Sequence, residues 1–232
     1  KGGGIMPISE VYNVDCMEYM ATLPDKAFDL AIIDPPYGIN AANMSTTKSG
    51  RNRLQQGAEK LKNRVLQTMK KDWDFYPPKE SYFKELFRVS HNAIIWGGNY
   101  FNLPPTRCII CWDKKQPWPN FSQVEIAWTS FDSPSKIFRY DNRTTDKIHP
   151  TQKPISLYAW ILKNYAKEGD KILDTHLGSG SSRIAAYKLG FDFYATELDK
   201  EYFDAQEERF RCECFGEIKT EKGTLVQTSL FE

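Results

Sequence analysis

Residues 171–190 restrict what this chain can fold into more than any other stretch. Lys171-Ile172-Leu173-Asp174 is a short apolar run ending on a carboxylate, the pattern of a buried strand. Thr175-His176-Leu177-Gly178-Ser179-Gly180 follows, and Ser181 to Leu189 then carries helical periodicity until Gly190 stops it. Strand, glycine-rich turn and helix in that order form a βα unit. Its glycines let a ligand approach the backbone, and its helix start offers free N–H groups. Arg183 stands where a dinucleotide fingerprint would carry its third glycine. The next strand, Asp192 to Ala195, ends near Glu197, an acidic residue suited to ribose hydroxyls. The inferred ligand has a ribose and no pyrophosphate.

A second strand end has a different chemistry. Phe28-Asp29-Leu30-Ala31-Ile32-Ile33 is a buried-strand run that meets Asp34-Pro35-Pro36-Tyr37. Two prolines cannot extend a ladder, because neither has an N–H, and each holds the preceding residue extended. A carboxylate and a carbonyl are therefore fixed beside an aromatic ring, an arrangement suited to gripping a planar amino group.

The coarse reading gives strands near 10–15, 28–33, 92–97, 107–112, 123–129, 171–174 and 192–196, with helical segments between most of them. The expected fold is α/β: a mostly parallel seven-stranded sheet covered by helices on both faces, with 107–112 and 123–129 forming an antiparallel hairpin at one edge. Ligands should bind beyond the carboxyl ends of the strands, where Asp15, Asp34, Asp174 and Glu197 all fall. Residues 5–215 are read as one domain and 216–232 as a tail.

Four segments together resemble the β group of DNA amino-methyltransferases, a Rossmann-like family with circularly permuted motif order, in which the catalytic motif precedes the cofactor motif. Asp34-Pro35-Pro36-Tyr37 matches its D-P-P-Y motif, and Asp174 to Gly180 resembles its D-P-F-x-G-S-G loop. His149-Pro150-Thr151-Gln152-Lys153-Pro154 matches H-P-T-x-K-P, and Asn13-Val14-Asp15-Cys16 resembles the segment bordering the cofactor's adenine. The match spans roughly residues 10 to 212. Thr175-His176 departs from the usual Pro-Phe. The resemblance implies S-adenosylmethionine as cofactor, with no metal, and adenine N6 as target. It makes Asp34, Pro35, Pro36 and Tyr37 the catalytic candidates. The cofactor candidates are Asp15, Cys16, Asp34, His149, Thr151, Lys153, Asp174, His176, Gly178, Ser179, Gly180, Ser181, Glu197 and Leu198. Asn99 is expected to reach the base pocket.

An adenine amino group is a weak nucleophile because its lone pair is conjugated with the ring. Hydrogen bonds to the Asp34 carboxylate and the Pro35 carbonyl would favour the pyramidal, attacking form. Positioning and electrostatics then supply the catalysis. In a duplex the base must first leave the stack, and Tyr37 would stack on it. Cytosine N4 is the chemical alternative, disfavoured because Asp, not Ser, stands at position 34. An RNA or protein-glutamine target would more often go with Asn there, and a non-catalytic cofactor-binding module would not need Asp-Pro-Pro-Tyr.

The chain has 232 residues, 41% hydrophobic content and a net charge of +1, so DNA binding depends on where the charges cluster. A basic insert at 38–72 carries Lys48, Arg51, Arg53, Lys60, Lys62 and Arg64. A second group, Lys136, Arg139, Arg143 and Lys147, falls within 130–148. Both are expected to contact double-stranded DNA. The odd count of five irregularly spaced cysteines argues for free thiols in a reducing compartment, and no secretory signal or membrane span is visible. Cys108 and Cys111 should point to opposite faces of a strand. A bacterial, phage or prophage cytoplasmic protein is expected, with a homodimer as one possible assembly. The final Gln227-Thr228-Ser229-Leu230-Phe231 resembles the peptide that docks replication proteins on the bacterial sliding clamp.

Overall fold

The structure, a computed structural model, describes residues 6–39, 76–116, 122–141, 147–149, 151–220 and 223–226. The basic residues Lys48, Arg51, Arg53, Lys60, Lys62, Arg64 and Arg143, and the clamp-like segment 227–231, lie outside the described residues.

The strands are β1 (Ser9–Tyr12), β2 (Phe28–Ile33), β3 (Ser90–Trp96), β4 (Ile109–Asp113), β5 (Val124–Thr129), β6 (Lys136–Arg139), β7 (Lys171–Asp174) and β8 (Asp192–Thr196). They form one sheet in the order β1-β8-β7-β2-β3-β5-β4-β6. The pairings from β1 to β3 are all parallel, β5 is antiparallel to both β3 and β4, and β6 runs parallel to β4. The helices are α1 (Cys16–Ala21), α2 (Glu80–Val89), α3 (Ile155–Tyr165), α4 (Ser181–Lys188) and α5 (Lys200–Phe215).

Alternation along the central strands divides the core between the two faces. Leu30, Ile32, Ile94 and Trp96 pack with Leu157 and Ile161 of α3 and Ala185 and Ala186 of α4. Ala31, Ile33, Ala93 and Ile95 pack with Met20 of α1 and Phe83, Leu86 and Val89 of α2. Both faces are covered, which is why these strands read as nearly unbroken apolar runs. β2 leads to β3 on one side, while its neighbour β7 leads to β8 on the other. The switch point therefore lies between the carboxyl ends of β2 and β7, where Asp34 and Asp174 sit.

The sheet has one strand more than the seven expected. The added strand is β6, a four-residue segment of alternating exposure that was read only as a basic group. It takes the edge, so the β4–β5 hairpin lies one strand inside it. β1 stops at Tyr12 and does not run on to Asp15. Asp15 caps α1 instead: its carboxylate accepts from Met17 N at 2.7 Å and Glu18 N at 3.3 Å, which requires leaving the strand. Within the segment read as a tail, β9 (Glu217–Thr220) and β10 (Gly223–Val226) pair antiparallel.

Candidate active site

Asp34 follows directly on β2, and both of its carboxylate oxygens are engaged. Tyr37 Oη donates to Oδ1 at 2.6 Å and Lys153 Nζ donates to Oδ2 at 2.5 Å. Burial, followed by the Asp34 and Glu125 charges, pushes the Tyr37 hydroxyl far above the usual phenol range, so it stays a donor. The Tyr37 ring stacks on Tyr100 with centroids 5.0 Å apart and planes at 14°. Gly97, at φ 70°, closes β3 against that ring, and a Cβ there would run into it.

Lys153 is 3% exposed. Its Nζ lies 3.1 Å from Glu125 Oε2 as well as against Asp34, and 5.2 Å from the Trp96 ring centroid. Burial opposes the lysine charge, but Asp34 and Glu125 outweigh it and hold the ammonium above its ordinary range. Glu125 moves the other way: burial disfavours its charge, yet Lys153 and Lys114 keep the carboxyl below the usual range. Lys114 forms the second ion pair of Glu125. Lys147 lines the same cavity, its ammonium lowered by burial and by Lys114 nearby.

One continuous cavity of about 1170 Å³ joins this centre to the end of β8. There Glu197 accepts from Gly178 N at 2.8 Å and from Asp199 N at 2.9 Å, fixing its carboxylate. Gly178, at φ 53°, provides a left-handed turn that favours glycine. Asn13 Nδ2 donates to the carbonyls of Glu197 and Leu198 at 2.7 and 3.1 Å, tying the segment after β1 to the segment after β8. His149 packs on Tyr202 with ring centroids 4.4 Å apart, and its Nδ1 is 3.1 Å from Thr151 Oγ1. His176 is half-buried; its Nδ1 is 3.0 Å from Thr175 Oγ1, and the ring meets Tyr82 edge-on at 5.3 Å. Burial lowers the imidazole to about 4, so it is neutral near pH 7. The substitution of Thr-His for Pro-Phe therefore keeps an uncharged ring at the cavity wall.

Of the sequence candidates, Asp15, Cys16, Asp34, Pro35, Pro36, Tyr37, Asn99, His149, Thr151, Lys153, His176, Gly178, Ser179, Glu197 and Leu198 line this cavity. Asp174, Gly180 and Ser181 do not. Asp174 lies beneath the loop, accepting from Ser182 Oγ at 2.6 Å and His176 N at 3.0 Å, and burial raises its carboxyl to about 7. Arg209 Nη1 fastens the loop from α5, donating to Ser179 O at 2.7 Å and Ser181 Oγ at 2.9 Å. Lys136 donates to Asn164 Oδ1 at 2.8 Å, and Arg139 lies 3.6 Å from Asp113; both are on the edge strand β6, and neither lines the cavity. Lys114 and Glu125 were not anticipated. Their signal was charge within or directly after strands of otherwise apolar character.

Residues 112–208 match the family model described as DNA methylase, of the N6/N4 type. That segment includes the H-P-T-Q-K-P stretch, the glycine loop and Glu197. The chain is 24% identical over 255 residues to the type II methyltransferase M2.MboI of Moraxella bovis, covering 86% of each protein. It is 23% identical over 272 residues to M2.DpnII of Streptococcus pneumoniae, covering 92% of this chain and 96% of that protein. Among solved structures, the M1.HpyAVI–SAM complex aligns with a TM-score of 0.55 and 17% identity over 86% of this chain and 98% of that one. The cytosine-N4-specific PvuII DNA methyltransferase aligns with a TM-score of 0.56 and 15% identity, over 88% and 87%. At these identities the structural likeness is one of fold.

Proposed function

We propose that this chain, a member of the N6/N4 family of DNA amino-methyltransferases, transfers a methyl group from S-adenosylmethionine to the N6 amino group of an adenine flipped out of duplex DNA. The observation that carries the reading is one cavity shared by two acceptor systems. At one end are Asp34 and Pro35 beside Tyr37; at the other is Glu197, held by two backbone N–H groups.

The residues present fit the cofactor. Glu197 offers a fixed carboxylate to a ribose diol. Leu198, 69% exposed, and Val14 flank the cavity end with apolar surface suited to an adenine ring. When bound, S-adenosylmethionine supplies a methyl group carried on a sulfonium. The chain's own residues orient the acceptor. Asp34 takes one hydrogen of the target amine and the Pro35 carbonyl the other, which frees the nitrogen lone pair from the ring. Tyr37 holds Asp34 through its hydroxyl and presents its ring to the base. The neutral His176 would add no positive charge to a cavity that holds a sulfonium.

Double-stranded DNA is the macromolecular substrate in this reading, and the bacterial sources of both relatives fit the expected bacterial cytoplasm. Cytosine N4 is the second reading. It is favoured by one observation, the fold shared with an enzyme whose name states cytosine-N4 specificity. Asp34, where cytosine enzymes more often carry Ser, supports adenine. Unmethylated bacterial DNA incubated with radiolabelled cofactor and hydrolysed to nucleosides separates the two. Label is expected in N6-methyladenine. Label in N4-methylcytosine, or label that persists in Asp34→Ala, would overturn the reading.

A further inference from the structure

A lysine that binds a cofactor should aim its amine at open cavity. Lys153 does not. Its ammonium is held between carboxylates from two strands: Asp34 Oδ2 at 2.5 Å, from the end of β2, and Glu125 Oε2 at 3.1 Å, from β5. It also lies 3.4 Å from Tyr37 Oη. Aromatic rings line its other sides, with the Trp96 centroid at 5.2 Å and the Tyr37 centroid at 5.8 Å. Glu125 is bound in turn by Lys114. Lys153 and Lys114 face Asp34 and Glu125, with Lys147 nearby, so removing Lys153 leaves its two carboxylates short of a counter-charge.

Oδ2 takes the Lys153 ammonium and Oδ1 the Tyr37 hydroxyl, so the two side chains together fix how the carboxylate is turned. A lysine paired with Asp34 alone would neutralise that carboxylate and weaken it as an acceptor. A lysine that also forms an ion pair with a second carboxylate leaves less of its charge to Asp34. Asp174 at the end of β7 and Tyr158 from α3 are further ionisable groups whose charges interact with Asp34.

We propose that Lys153 and Glu125 are a positioning pair for the catalytic carboxylate: Lys153 fixes the orientation of Asp34, and Glu125 draws off enough of the lysine's charge to leave Asp34 a strong acceptor for the target amine. The inference rests on Asp34 being that acceptor. It moves Lys153 from the cofactor set to the amine-binding set and adds Glu125, a residue with no assigned role.

The test uses the full chain and whichever DNA base the unaltered protein methylates. Lys153→Met is expected to lower kcat on the order of 100-fold, with S-adenosylmethionine affinity by calorimetry and KM for DNA within about twofold. Adding Glu125→Gln removes the stranded charge and should restore kcat by about tenfold. Glu125→Gln alone, the variant that perturbs folding least, should lower kcat several-fold without changing cofactor affinity. Two results would overturn the pairing: a Lys153→Met protein with normal kcat and weakened cofactor binding, or a double variant as slow as the single. A second measurement does not depend on turnover. The ¹³C carboxyl signal of Asp34, identified by its loss in Asp34→Asn, should move in Lys153→Met and in Glu125→Gln but not in Lys84→Met on the surface of α2; an unmoved signal refutes the pairing. Failure of the unaltered protein to methylate DNA would count against the proposed function alone, and the carboxyl spectrum would then decide the pairing by itself.

Discussion

Asp34 has two jobs in the geometry described, and its substitutions separate them. Asp34→Ala should abolish methylation while S-adenosylmethionine affinity stays within a few-fold, because the carboxylate faces the amine end of the cavity. The same change leaves the buried Lys153 with one carboxylate fewer, so the thermal midpoint should fall as well. Asp34→Asn keeps the shape and should lose activity with a smaller drop in midpoint. At the other end of the cavity, Glu197→Ala should weaken cofactor binding by roughly 1.5–3 kcal/mol; unchanged affinity by calorimetry would remove the ribose assignment. Asp174 predicts a pH effect. Its folded-state carboxyl is raised to about 7 from an ordinary value near 4. Its contribution to stability is therefore complete below pH 4 and lost as the pH rises to about 7, because burial disfavours the charged form. Asp174→Asn lacks that loss. Relative to the unaltered protein, its melting temperature should be more favourable at pH 8 than at pH 5, and an equal difference at the two pH values would contradict the assignment.

At the scale of elements, Arg183 accounts for the glycine fingerprint that the sequence lacks. From α4 it donates to Ser9 Oγ at 2.9 Å and to Gln206 Oε1 at 3.0 Å, pairs with Glu207, and lies with its guanidinium 3.8 Å from the Phe210 ring centroid. One side chain thus joins β1, α4 and α5, where a glycine would only have allowed close packing. Arg183→Leu should destabilise the fold by about 2–3 kcal/mol, less than a fully buried pair because Glu207 keeps some access to water. Urea unfolding measures it. The elements legible in the sequence were those whose signal is local: the strands that lead to Asp34, Asp174 and Glu197, the prolines that stop β2, and the glycine turn before α4. β6 was missed because four alternating residues look the same whether or not β4 is there to pair with. Asp15 was assigned to a strand because a cap and a strand end share a composition. The Lys153–Glu125 pair was missed for a deeper reason. It exists only because β5 runs antiparallel beside β3, a placement that no pattern along residues 124–129 encodes. The trace it left was Glu125 itself, a charge in a strand that otherwise alternates into the core and needs a counter-ion somewhere.

For the whole molecule, a net charge of +1 leaves DNA affinity to local groupings. The sequence places Lys60, Lys62 and Arg64 in one of them. Replacing all three with Ser should weaken binding similarly across DNA sequences and flatten the salt dependence by about one unit of logarithmic slope for each phosphate no longer neutralised. An unchanged slope would return the segment to solvent. The stack of Tyr37 on Tyr100 bears on a different quantity. The ring proposed to receive the base is already partnered, at 5.0 Å and nearly parallel. An adenine that took the place of Tyr100 on that face would exchange one stacked ring for another, and the protein would gain only the difference between them. Two DNAs could bind equally tightly and still differ widely in how often the target is seated. Discrimination between bases would therefore be set by the amine that reaches Asp34, and equilibrium binding curves would not report it.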